Sequence, residues 1–103
     1  MRRYAFTPLA EEDVNEIWAY IAADNIEAAN RVEQAILDAC VFLSKGPLRA
    51  QRRPDITKRD LRFWTLPRFS NYTIVFVPGT RPLRVIAVLH GRRDARGILQ
   101  TRL

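Results

Sequence analysis

The sequence has few of the residues that form disulfides or keep a chain disordered, and it lacks the long apolar run that anchors a chain in a membrane. Among 103 residues there are one cysteine, four glycines and six prolines. The single Cys40 excludes an internal disulfide and suits a reducing compartment, while so few glycines and prolines exclude collagen-like and disordered chains. Uncharged stretches in the second half, such as Ser70 to Thr80, are far shorter than the roughly 20 residues of a membrane-spanning helix. The N-terminal residues lack the apolar run of a secretion signal. We therefore expect one small cytoplasmic domain over residues 1–103, with no membrane contact.

Groups that carry catalysis are also scarce. One histidine, one cysteine and two serines, Ser44 and Ser70, cannot supply a histidine-rich or multi-cysteine metal site. No nucleophile elbow, P-loop, dinucleotide fingerprint or zinc pattern is present. We therefore expect neither a metal nor a cofactor. Cys40 falls in the apolar stripe of a predicted helix, which favours a buried, inert thiol over a nucleophile.

Charge, in contrast, is abundant and unevenly distributed. Residues 1–44 contain three arginines and eight acidic residues, a net charge of −5, whereas residues 45–103 contain fourteen basic and three acidic residues, a net charge of +11. Fifteen of the seventeen bases are arginine, whose planar guanidinium suits carboxylates and phosphates. The sequence therefore predicts a surface that binds an acidic partner, either a polyanionic protein or a nucleic acid.

The first half of the chain predicts an edge strand followed by two helices. The strand covers Arg2 to Phe6, and Thr7 followed by Pro8 is typical of a helix start. Asp24, with Glu27 three residues later, has the form of a capping box that opens a second helix, which runs to about Lys45. The short connection predicts an antiparallel helix hairpin.

The second half predicts a basic connecting loop from Pro47 to Arg59 and then a three-strand antiparallel meander. Its strands are Leu61 to Leu66, Tyr72 to Val77 and Leu83 to His90. The central strands are apolar on both faces, so the helices should cover at least one of them. The expected fold is α+β, with the hairpin packed on one face of a four-stranded sheet.

Candidate site residues lie on the meander and after it. Arginines at strand ends and in the tail indicate a binding surface, and Trp64, next to Phe63, must lie on the opposite face of its strand from that residue. We predict that His90 and Asp94 form a hydrogen-bonded pair that holds the C-terminal turn. The predicted binding residues are Arg62, Trp64, Arg68, Arg84, Arg92, Arg93 and Arg96.

The order of elements and several local segments resemble the ParE branch of the RelE/ParE superfamily of type II toxins. The resemblance covers nearly the whole length. It includes Trp18-Ala19-Tyr20-Ile21 in the first helix, Leu61-Arg62-Phe63-Trp64 and Asn71-Tyr72-Thr73-Ile74-Val75-Phe76 in the meander, and Leu89-His90-Gly91-Arg92-Arg93-Asp94 at its end.

The resemblance implies a toxin that is neutralised by a ParD-like antitoxin and that poisons DNA gyrase by binding. A RelE-like toxin would instead cut mRNA on the ribosome, with His90, Arg62 and Arg92 as the candidate catalytic residues here. RelE-type cleavage usually relies on a tyrosine near the C-terminus, and the last tyrosine of this chain is Tyr72. We therefore expect a gyrase-directed toxin, with the ribosome-dependent nuclease and an inactive toxin-fold binding module as the alternatives.

Overall fold

A computed structural model describes residues 3–46, 50–91 and 93–102, which form a helix hairpin packed on a four-stranded mixed sheet. The strands follow the order β1-β4-β3-β2; β1 is parallel to β4, and the other pairs are antiparallel. The predicted α+β architecture is confirmed. The elements are β1 (Tyr4–Phe6), α1 (Pro8–Ala22), α2 (Ile26–Lys45), β2 (Arg62–Thr65), β3 (Tyr72–Val77), β4 (Leu83–His90) and α3 (Ala95–Gln100).

The two long helices begin at side-chain caps. The Thr7 side chain accepts a hydrogen bond from the Ala10 amide, as the sequence predicts. The second helix is capped one residue later than expected. Asn25, in an extended conformation, accepts from the Ala28 amide, so the prediction of an Asp24 capping box was wrong. The backbone amide of Asp24 donates to the Ile21 carbonyl, which keeps this residue in the turn that closes α1.

The sheet buries apolar side chains on both faces. On the hairpin side, Ile36 and Leu43 of α2 pack against Ile74 and Phe76 of β3. On the opposite side, a smaller cluster gathers around Val75. That cluster also contains Leu61, Phe63, Ile86, Ala87, Leu89 and Leu99, the last of them from α3. The short C-terminal helix therefore covers the face that the hairpin leaves open, and the sequence did not predict it.

A buried ion pair joins the first helix to the end of the described chain. Asp13 of α1 is only 3% exposed, and both of its carboxylate oxygens accept hydrogen bonds from the Arg102 guanidinium, at 2.8 and 3.0 Å. The same carboxylate accepts from the Val88 amide, and Arg102 donates to the Ile86 carbonyl. β1 pairs with β4 only as far as Val85. Beyond that residue, the Asp13 and Arg102 side chains bind the edge of β4 that faces away from β3. We call this arrangement the Asp13–Arg102 clamp.

Candidate functional site

A groove with aromatic walls runs between α2 and the edge strand β2. Phe42 of α2 and Trp64 of β2 face each other with ring centroids 5.4 Å apart, and Phe69 from the β2–β3 turn completes the wall. The groove encloses about 590 Å³. Phe42 is 38% exposed, an unusual exposure for a large apolar side chain beside an open cavity. We call this feature the α2–β2 groove.

Helix and strand periodicity place these side chains together. Trp64 points to the hairpin side of the sheet, whereas its neighbour Phe63 is buried on the other side, as strand alternation requires. On α2, Ala35, Ala39 and Phe42 lie at spacings of four and three residues, so they share one helix face. The two small alanines leave space in front of the tryptophan, and this space is the groove.

The groove has a positively charged rim. Arg31 on α2 and Arg68 in the β2–β3 turn line it, and within the described part of the chain neither of them forms an ion pair. The acidic residue at the rim, Asp38, accepts a hydrogen bond from the Gln34 amide at 2.9 Å. An apolar channel with cationic edges is complementary to an amphipathic segment that carries carboxylates beside its apolar side chains.

Of the predicted binding residues, the structure brings Trp64 and Arg68 together in this groove and places four others, Arg62, Arg84, Arg93 and Arg96, elsewhere. The Arg62 side chain is only 15% exposed and pairs with Asp60. Arg84 is exposed on β4, opposite Ala5 of β1.

Two further predicted arginines, Arg93 and Arg96, lie near α3. Arg93 pairs with Glu16 of α1 at 3.6 Å, and Arg96 donates to the Asp55 carbonyl. Arg92 lies outside the described residues. The described arginines therefore do not form one continuous surface.

His90 is the last residue of β4, and Asp94 immediately precedes α3. The His90 ring meets the edge of Tyr72 with centroids 5.4 Å apart, and its carbonyl accepts from the Arg93 amide. The Asp94 side chain accepts from the Gly97 amide and so caps α3. Burial raises the pKa of Tyr72, and the nearby Tyr20 adds to this effect.

Two residues of the nuclease alternative, His90 and Arg62, do not share a site. His90 lies opposite Tyr72 of β3, whereas Arg62 lies opposite Phe76, four residues further along the same strand. That distance is about 13 Å along the strand, and β3 itself separates the two residues by about 10 Å across the sheet. Arg62 is in addition paired with Asp60, so the structure does not bring these two side chains together.

Three further observations concern the cysteine, possible metal ligands and membrane-spanning helices. Cys40 is fully buried in α2, and burial raises the pKa of its thiol to about 12. Among the described residues, no group of three histidine, cysteine or acidic side chains could hold a metal ion. In that same part of the chain, no helix has both the length and the apolar character needed to cross a bilayer.

Sequence reasoning missed most of the groove. Phe42, Phe69 and Arg31 were not among the predicted site residues, although Phe42 carried a usable signal. It lies outside the apolar stripe through which α2 packs on the sheet, and a large aromatic residue beside such a stripe indicates a contact with a partner or with another part of the chain.

Comparison with known proteins gives a match to a protein family and matches to solved structures. Residues 4–95 match a protein-family model described as the ParE toxin of a type II toxin–antitoxin system, parDE. Among solved structures, a chain of the chromosomal ParDE toxin–antitoxin system from P. aeruginosa is similar, with a TM-score of 0.69 and 20% sequence identity. The similarity covers 87% of this chain and 96% of the other, and it concerns the fold. No curated protein matches.

Proposed function

This chain belongs to the ParE toxin family of type II toxin–antitoxin systems, and on that premise we propose that it is a toxin that a ParD-like antitoxin holds inactive in the α2–β2 groove. We propose further that its target is DNA gyrase and that it acts in the cytoplasm by binding this enzyme, without catalysing a reaction of its own.

The observation that carries the antitoxin proposal is the α2–β2 groove itself. Its aromatic pair, Phe42 and Trp64, offers the apolar anchor points that dominate protein–protein affinity. Arg31 and Arg68 at the rim would pair with carboxylates of the bound segment. A disordered, acidic, amphipathic antitoxin segment that folds on binding meets both requirements.

The spacing of His90 and Arg62 supports binding over catalysis. General acid–base chemistry on RNA requires groups within hydrogen-bond reach of one phosphodiester, and these two candidates lie on opposite sides of β3. A toxin that acts by binding has no such requirement.

The antitoxin proposal is tested by co-purification with the small acidic-tailed protein expected from the neighbouring reading frame. Trp64→Glu and Phe42→Glu place a carboxylate in the aromatic wall of the groove and should abolish co-purification. Tyr20→Glu, at a side chain that is 83% exposed on α1 and does not line the groove, is the matched control. Unchanged binding by both groove variants, with normal circular dichroism, would contradict the proposal.

The target is tested with purified toxin in gyrase supercoiling and cleavage-complex assays. Inhibited supercoiling or accumulated cleavage complexes would support the gyrase proposal. Cut mRNA in a translation system, with no effect on gyrase, would indicate the RelE-like alternative. Normal growth of cells that express the chain without antitoxin would indicate an inactive member of the family.

A further inference from the structure

A second depression, at the opposite end of the sheet from the β2–β3 turn, is lined by basic side chains from three separate segments. Arg3 precedes β1, Lys45 ends α2, and Arg81 belongs to the β3–β4 turn. Together with Ser44, Thr80, Pro82 and Leu83 they enclose about 510 Å³. We call this depression the basic hollow.

Hydrogen bonds hold two of the segments of the basic hollow, the start of β1 and the β3–β4 turn, in place. The Leu83 amide donates to the Arg3 carbonyl at 2.9 Å, which fixes the start of β1 beside the start of β4. In the β3–β4 turn, Thr80 donates to the Val77 carbonyl and accepts from the Arg84 amide. The fold therefore brings the three basic residues to one depression before any ligand binds.

Among the described residues, no acidic side chain forms an ion pair with Arg3, Lys45 or Arg81. Of the fourteen lysines and arginines in the described residues, five form ion pairs with acidic side chains, which leaves nine. Arg3, Lys45 and Arg81 are among the nine, and no acidic residue in the described part of the chain lines the hollow. Like charges repel, so the cluster gains stability from a bound anion.

The residues that line the hollow suit a phosphate backbone better than a protein segment. The large apolar side chains that the structure exposes are Leu9, Tyr20, Ile26, Val41 and Phe42, and none of them lines the hollow. Its one large apolar residue, Leu83, is 3% exposed and cannot act as an anchor. Cations without an exposed apolar anchor are typical of contacts to a nucleic-acid backbone, where affinity comes from the release of counterions.

We propose that the basic hollow binds the phosphate backbone of a nucleic acid, with little dependence on base sequence. The proposal goes beyond the antitoxin and gyrase roles, because it requires only the toxin and a nucleic acid. Two neighbouring phosphates contact Lys45 and Arg81, and Arg3 contributes a third charge from the far side of the hollow.

The test is fluorescence anisotropy of the purified toxin with a labelled 20-base-pair DNA duplex and, in a separate arm, with a single-stranded RNA, each at several salt concentrations. Each phosphate contact to duplex DNA contributes a slope of about −0.9 to the plot of log affinity against log salt. Lys45→Ala combined with Arg81→Ala should therefore reduce the slope by about 2 and weaken binding at 0.1 M salt by roughly 10- to 60-fold.

Lys58→Ala combined with Arg59→Ala is the matched control, because it removes the same two charges from exposed residues outside the hollow. It should leave the slope nearly unchanged. Equal losses for the two double variants would mean diffuse binding and would overturn the proposal. Failure of the toxin to bind both the DNA and the RNA at about 0.05 M salt would also overturn it. The same holds if the hollow variant loses antitoxin binding but keeps nucleic-acid binding.

Discussion

Arg102→Ala should destabilise this protein far more than other arginine substitutions, because Arg102 neutralises a buried carboxylate. The substitution removes two hydrogen bonds to Asp13 and one to the Ile86 carbonyl. Among the described residues, Asp13 would keep only the Val88 amide as a partner, with 4% of its side chain exposed. Hydrogen bonding to Asp13 raises the pKa of Arg102, so the guanidinium stays charged.

The magnitude follows from the burial of the pair. Removing one partner of a fully buried ion pair costs about 3–5 kcal/mol. Arg102 keeps 9% of its side chain exposed, so water can reach the vacated space, and we expect a loss of about 2–3 kcal/mol. For a domain of this size, that loss lowers the melting temperature by roughly 10–20 °C.

Arg93→Ala is the control, because Arg93 also pairs with an acid of α1 but does so at the surface. Its partner Glu16 lies 3.6 Å away, and the two side chains are 46% and 67% exposed. Such pairs contribute about 0–1 kcal/mol. Thermal unfolding followed by circular dichroism compares the two variants. Equal shifts, or a shift of less than about 4 °C for Arg102→Ala, would refute the claim that the clamp stabilises the fold.

Three smaller predictions concern local structure. Asn25→Ala removes the cap of α2 and should cost about 1 kcal/mol in urea denaturation; an unchanged midpoint would mean that Asp24 takes over as the cap. Gly97→Ala would push a methyl group into the Asp94 carboxylate and should destabilise α3 by about 1–2 kcal/mol. The amide of Leu99 should then exchange faster with solvent. Exchange at the wild-type rate would contradict this prediction. The Cys40 thiol, with its pKa raised to about 12, should react with iodoacetamide at pH 8 only after unfolding in urea; rapid labelling of the folded protein would show that α2 opens readily.

Much of the fold was accessible from the sequence because strong local signals agreed with one another. The predicted strands Tyr72 to Val77 and Leu83 to His90 match β3 and β4 residue for residue. The connection between them contains Gly79 with a positive φ of 81°, a turn conformation that glycine adopts without strain. Apolar runs bounded by such turns leave little freedom in register.

The third helix was not predicted because its signals are short and mixed. It spans six residues, contains Gly97 near its middle, and offers only Ala95, Ile98 and Leu99 as apolar residues, which is too few for a helical period. Asp94 did carry a capping signal, but the same residue had a second plausible partner in His90. Only the position of Leu99 against the open face of the sheet shows why a helix forms there.

The candidate site was harder to predict than the fold, because charge along the chain does not specify direction in space. The excess of +11 in residues 45–103 is distributed over different sides of the sheet. Arg68 reaches the α2–β2 groove, Arg81 the basic hollow, and Arg96 the loop before β2. Strand alternation required Phe63 and Trp64 to lie on opposite faces, but which of the two faced the hairpin depended on the register with β3.

The Asp13–Arg102 clamp also protects the chain from associating with copies of itself. β1 pairs with β4 only as far as Val85, so the last part of β4 would otherwise present unpaired backbone groups, a template to which another extended chain could add. The Val88 amide and the Ile86 carbonyl are instead bound by the two side chains. Loss of the clamp would therefore expose unpaired backbone groups at this edge of β4. Arg102→Ala protein should aggregate more on storage than Arg93→Ala protein at the same concentration, as measured by light scattering.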